Sequence, residues 1–236
     1  MGRHHLQGRS RPVTRVIVIL ANVLLLLWSV NAWRRVDGAP PGMAAVPGGP
    51  FASRVLKTTV DLPAFYIDRD EVSNADFSDF IRASGYQANP AWKSYAQANG
   101  PDRPVVGVTF ADAEAFAAFY GKRLPGAVEW ERACLGDEGR DYPWGSKWTA
   151  GDANIETLAV APSGKYPRDR SPSGARDMAG NVFEWSDSRT DDGEDYRAVM
   201  GSAWLFWPRP GYLLFGLKVD TSSHVTGFRC AWPPRG

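Results

Sequence analysis

The stretch Asp177-Met178-Ala179-Gly180-Asn181-Val182-Phe183-Glu184-Trp185 decides how the rest of this chain is read. Gly180-Asn181 is a turn former that doubles the backbone back, so main-chain carbonyls and the Asp177 and Glu184 carboxylates are expected to converge. Oxygens meeting with no nitrogen or sulfur among them suit a hard cation such as Ca²⁺.

Outward from that turn, the chain is 236 residues long and rich in ring and turn residues, with 10 Trp, 11 Phe, 8 Tyr, 24 Gly and 18 Pro. This favours short elements and long ordered loops over a helical bundle. The net charge of +1 hides an uneven spread. Residues 1–35 carry six arginines and no acid, leaving 21 basic against 26 acidic residues beyond them. A mildly acidic domain argues against nucleic-acid binding.

Residues 16–33, VIVILANVLLLLWSVNAW, are apolar apart from Asn22, Ser29 and Asn31. Eighteen residues in a helix reach roughly 27 Å, enough to cross a bilayer core. The arginine bias predicts a basic cytoplasmic tail over residues 1–15 and a single-pass inner-membrane anchor over 16–33. The domain then lies in the periplasm. A cleaved signal peptide ending near Val30-Asn31-Ala32 is the rival reading. Residues 34–50, rich in Pro, Gly and Ala, read as a linker, and 51–236 as the domain.

Within the domain, Val55 to Ile67 reads as one or two strands. Ser73 caps a helix that carries Phe77, Phe80 and Ile81 on one face and stops at Gly85. A second helix runs from Ala111 to Tyr120 behind Thr109, and a third follows Pro125 and ends at Gly136 with Trp130, Ala133 and Cys134 inward. Beyond Gly139 the pattern is loop and short strand. Cys134 and Cys230, an even count in an exported domain, permit either a disulfide or two free buried thiols. His224 reads as a loop histidine, and the acids at 191–195 as a solvated turn.

Several segments in order resemble one family. They are Gly48-Gly49-Pro50-Phe51, Phe65-Tyr66-Ile67-Asp68, Glu71-Val72-Ser73-Asn74, Pro104-Val105-Val106, Arg123-Leu124-Pro125 with Glu129-Trp130-Glu131, Tyr142-Pro143-Trp144-Gly145 and Gly227-Phe228-Arg229-Cys230. Together with the opening motif they resemble the formylglycine-generating enzyme (sulfatase-modifying factor) domain. The resemblance implies an α+β, C-type-lectin-like fold with little regular structure. It implies calcium at Asp177, Gly180, Val182 and Glu184, and a weakened second site at Asn154, Ile155 and Tyr166, where Gly164 replaces the family's acid. It also implies a Cys134–Cys230 disulfide.

The family's copper chemistry needs two thiolates after a segment that here reads Met200-Gly201-Ser202-Ala203-Trp204, and no cysteine lies between Cys134 and Cys230. No copper is therefore expected. Iron-dependent relatives use histidines of an extra domain, and this chain holds only His4, His5 and His224. The region that lines the substrate groove in catalytic relatives is aromatic here. Trp204, Phe206, Trp207, Arg209 and Tyr212 form either core or a contact surface for a partner. The expectation from these departures is a membrane-tethered, non-catalytic accessory subunit with a protein partner. The alternative is an oxidoreductase-type enzyme of the same family with altered chemistry.

Overall fold

A computed structural model describes residues 38–207 and 212–232. The segments read as tail and anchor, together with Arg209, lie outside the described residues. Among the described residues, no helix is long and apolar enough to cross a membrane.

Among the described residues, three sheets and four helices make up the fold. Strands β1 (Met43–Val46), β4 (Phe65–Asp68) and β9 (Ala231–Trp232) form one sheet in the order β1-β4-β9. A hairpin joins β2 (Gly49–Ser53) and β3 (Thr58–Leu62). The third sheet runs β7-β6-β5-β8, from β7 (Leu213–Lys218) through β6 (Tyr196–Gly201) and β5 (Phe183–Arg189) to β8 (Thr226–Gly227). Only the β5–β8 pair in it is parallel. Residues 43–50, read as part of a linker, are thus largely strand. Met43, Ala44 and Val46 are buried as β1 pairs with β4, and that pairing uses the backbone groups a free linker would give to water.

The helices are α1 (Asn74–Ser84), α2 (Ala91–Asn99), α3 (Phe110–Phe119) and α4 (Ala127–Leu135). Ser73 caps α1 and Thr109 caps α3, each in a reciprocal box with Asp76 or Asp112 three residues on. Gly85 ends α1 at φ 71, where a side chain would cost energy. The helix α2 escaped the sequence reading because Pro90 offers no side-chain cap and Trp92 is its one buried residue.

Helices α1 and α3 press Phe77, Phe80 and Phe116 onto Phe228, with Phe116 and Phe228 ring centroids 5.2 Å apart. Trp130, Met178, Met200 and Ile67 build a second cluster around α4. A small third cluster, Val106, Val160 and Val182, underlies Tyr95 and Trp204. Cys230 belongs to the first cluster and Cys134 to the second, and both are free thiols. The disulfide implied by the resemblance is absent from the structure, because each thiol packs among apolar neighbours of a different cluster. Burial raises both thiols well above the ordinary range, as expected of inert core cysteines.

Candidate functional site

The opening motif turns on two residues in the left-handed region, Asp177 at φ 57 and Asn181 at φ 68, where Asp and Asn are among the better tolerated side chains. Gly180 is required by a close approach, since a Cβ there would stand 2.7 Å from the Asn154 carbonyl oxygen. The chain then enters β5, where successive side chains alternate between faces. Phe183 and Trp185 point into the first cluster, and Glu184 points the other way.

Glu184 meets Arg229 there. Arg229 Nε and Nη2 donate to its two carboxylate oxygens at 2.7 and 2.6 Å, and Trp130 Nε1 donates at 2.7 Å. Both members of the pair are buried. Burial alone would lower the Arg229 pKa, but Glu184 beside it holds it above its ordinary value. The remaining guanidinium hydrogens go to the carbonyls of Asp68, Arg69 and Arg176. This buried, bidentate pair ties β5 to the segment after β8, and the other guanidinium bonds reach the end of β4 and Arg176.

Asn181 is the second hub. Its Nδ2 donates to Glu71 and to the Ala161 carbonyl, and its Oδ1 accepts from Asn154 Nδ2 and the Ala161 N–H. Its backbone N–H donates to Asn154 O, and its carbonyl accepts from Trp204 N–H at 3.0 Å. Asp177 accepts from the Gly164 N–H, and Asp169 from the Ala179 N–H. Burial pushes Asp177 up to about 6. Burial, then the neighbouring Asp177, also raises Glu71 and Asp169 well above the usual carboxylate range.

These contacts do not fit calcium on the expected ligands. The Glu184 oxygens already accept three hydrogen bonds, two of them from a guanidinium. Asn154 Oδ1 accepts from Thr157 and Tyr166, so the second set is also internally satisfied. Among the described residues, no three His, Cys, Asp or Glu side chains gather in a way that would hold a metal. The structure does bring Asp177, Gly180, Asn154, Gly164 and Tyr166 into one seam, linked by hydrogen bonds between protein groups.

The expected aromatic contact surface divides. Phe206 turns inward onto Phe183 at 4.9 Å, and Tyr212 packs on Trp130 at 5.7 Å, each on a different cluster from Trp204. Trp207 is 61 % exposed. Trp204, half-buried on the third cluster, instead meets two residues that the sequence reading passed over or set aside. Its ring lies 6.2 Å from the exposed His224 imidazole, which lies 6.3 Å from the Tyr95 ring. Gly107 makes room for this face: at φ +77, a Cβ there would sit 2.5 Å from Tyr95 Cδ2. Its N–H also donates to Ser223 O at 2.8 Å, fixing the loop that carries His224. Two aromatic walls around an accessible imidazole can bind a flat or cationic group and exchange a proton with it. No spacing in the chain links Tyr95, Trp204 and His224, which lie on three separate segments.

Residues 32–234 match the Sulfatase-modifying factor enzyme 1-like domain, and the chain belongs to that family. It is 32 % identical over 269 residues to a hercynine oxygenase of Mycolicibacterium smegmatis, which covers 81 % of this chain and 62 % of that protein. It is 27 % identical over 288 residues to the mouse protein named inactive C-alpha-formylglycine-generating enzyme 2, covering 88 % of this chain and 92 % of that one. The chain thus spans less than two thirds of the hercynine oxygenase. The crystal structure of CarF superimposes with a TM-score of 0.67 at 19 % identity, over 82 % of this chain and 98 % of CarF. That likeness establishes a mixed helix-and-sheet fold of the formylglycine-generating type. The expectation of a non-catalytic accessory subunit is overturned by the oxygenase matches, which extend across most of this chain.

Proposed function

We propose that this chain is an oxidoreductase-type enzyme of the family, with chemistry altered from the copper–thiolate type, which receives its substrate at the Tyr95–Trp204–His224 face. The observation that carries this reading is the 32 % identity to a protein named as an oxygenase, over 81 % of this chain. The face adds support, since it offers an accessible imidazole between two rings. Copper held by two thiolates does not fit Cys134 and Cys230, which are buried in different clusters. Iron held by several imidazoles does not fit either, because His224 is the one histidine among the described residues. The roles assigned to this chain's residues are therefore substrate binding by Trp204 and Tyr95 and proton exchange at His224.

Substrate-dependent oxygen uptake by the detergent-solubilised full chain tests the proposal, with imidazole and thiol compounds supplied in turn, with and without added iron(II). His224→Ala is expected to lower the rate by about 100-fold, the lower end of general acid–base contributions, at an unchanged melting temperature. Absence of uptake under every condition, or full activity in His224→Ala, would overturn the reading.

Residues 16–33 are further proposed to tether the domain at the periplasmic face of the inner membrane, with residues 1–15 in the cytoplasm. The length of the apolar run and the arginines before it support this. Release of the intact chain into the soluble fraction by alkaline carbonate would rule it out.

A further inference from the structure

The resemblance places a cation beside Asn154, Tyr166 and position 164, where the family's acid is replaced by Gly164 in this chain. Gly164 lies at φ +77, and a Cβ built on it would stand 2.6 Å from Arg176 Nη1 and 3.0 Å from Arg176 Cζ. The Arg176 guanidinium thus occupies the space of the missing side chain. Asp70 grips it in a fork, with Nε donating to Oδ1 at 2.6 Å and Nη2 to Oδ2. Beyond Asp70, the charges closest in effect on Arg176 are Asp177 and Glu71, both members of the buried seam.

The charge balance of the seam needs such a group. Glu71, Asp169, Asp177 and Glu184 are each at most 3 % exposed, and Arg229 is the one guanidinium buried among them. Burying several carboxylates against a single positive charge is costly unless another cation faces them. Backbone N–H groups at Gly164 and Ala179 meet part of that need by donating to Asp177 and Asp169. The rest is shared between protonation, toward which burial pushes Glu71, Asp169 and Asp177, and a cation at the rim.

We infer that Arg176, clamped by Asp70 over the bare backbone of Gly164, is the seam's resident cation and stands in the place that the family resemblance gives to calcium. Arginine suits this position because its planar fork engages the Asp70 carboxylate with two parallel bonds and keeps its charge at any physiological pH. The domain consequently keeps its fold with no bound ion at this site. The exchange couples two positions: Gly164 is tolerated because Arg176 fills its space, and Arg176 fits because position 164 has no side chain.

Thermal unfolding of the full chain in excess EDTA and in millimolar calcium chloride tests this, with calcium binding followed by titration calorimetry. The wild-type chain is expected to melt at the same temperature in both. Arg176→Ala should melt about 4 °C lower in EDTA, and Arg176→Lys, which keeps the charge, should lose less. The double variant Gly164→Asp with Arg176→Ala restores a carboxylate in the vacated space. It should bind calcium and regain melting temperature only when calcium is present. Three results would each overturn the inference: calcium raising the wild-type melting temperature, Arg176→Ala melting like the wild type in EDTA, or a folded double variant indifferent to calcium.

Discussion

The buried seam behind the DMAGNVFEW turn and the aromatic face in front of it both rest against that turn, yet they obey opposite rules. In the seam, Glu184, Arg229 and Asn181 each spend their polar atoms on partners within the protein. On the face, His224 is exposed between two rings. Asn181 joins the two, because its side chain belongs to the seam while its carbonyl holds the Trp204 N–H. The seam specifies the fold, and on the proposed reading the face receives the substrate, so a strong family motif identifies a domain without identifying its reaction.

The comparison breaks most sharply at the ion pair. Glu184→Gln takes from the buried Arg229 guanidinium its bidentate carboxylate partner, and should cost about 3–5 kcal/mol in chemical denaturation. Adding Arg229→Met should recover part of that loss, whereas a pair that contributed only packing would show additive losses. Asn181→Ala comes next. It strands the Ala161 N–H in the interior and leaves Asn154 Nδ2 with the Ala159 carbonyl alone, for a loss of about 3 kcal/mol. It should also loosen the Trp204 loop, visible as faster amide exchange at Trp204.

A smaller effect carries a sign that separates the two regions further. Asp177 has an ordinary value of 3.8 and is pushed up to about 6 in the folded chain. Between those values the folded state holds a proton that the unfolded state has released. The stabilisation from this group is therefore complete below about pH 3.8 and is lost as pH rises toward 6. Asp177→Asn removes that loss and keeps an oxygen for the Gly164 N–H, and asparagine tolerates φ 57. It should stabilise the domain at pH 7 by on the order of 1–3 kcal/mol and flatten this limb of the stability–pH curve. Destabilisation at pH 7 would show that the carboxylate has a role beyond the hydrogen bond. The smallest effect belongs to the face. His224→Ala should change stability by no more than about 0.5 kcal/mol, as at other exposed positions, so an unfolding midpoint that drops further would move His224 from the face into the scaffold.

Much of this was legible in the sequence for local reasons. Ser73 and Thr109 with an acid three residues on, and Gly85 and Gly136 after apolar stripes, state where three helices begin or stop. The first strand was hidden because MAAV is short and small, and only pairing with β4 makes it a strand. At the site, the motif pointed to Asp177 and Glu184 but not to the guanidinium that pairs with Glu184. A carboxylate between Phe183 and Trp185 must find a buried cation, and Arg229, between Phe228 and Cys230, was the residue with matching surroundings. Nothing comparable marks Tyr95 or His224.

The sequence by itself determined the family, the turn at Gly180-Asn181 and the caps of the helices, because these depend on residues a few positions apart. Only the tertiary structure decided which charge neutralises Glu184, that Cys134 and Cys230 pack in different clusters, and that Tyr95, Trp204 and His224 share a face. Those outcomes depend on segments far apart in the chain that meet only when the core closes, and no local preference encodes them.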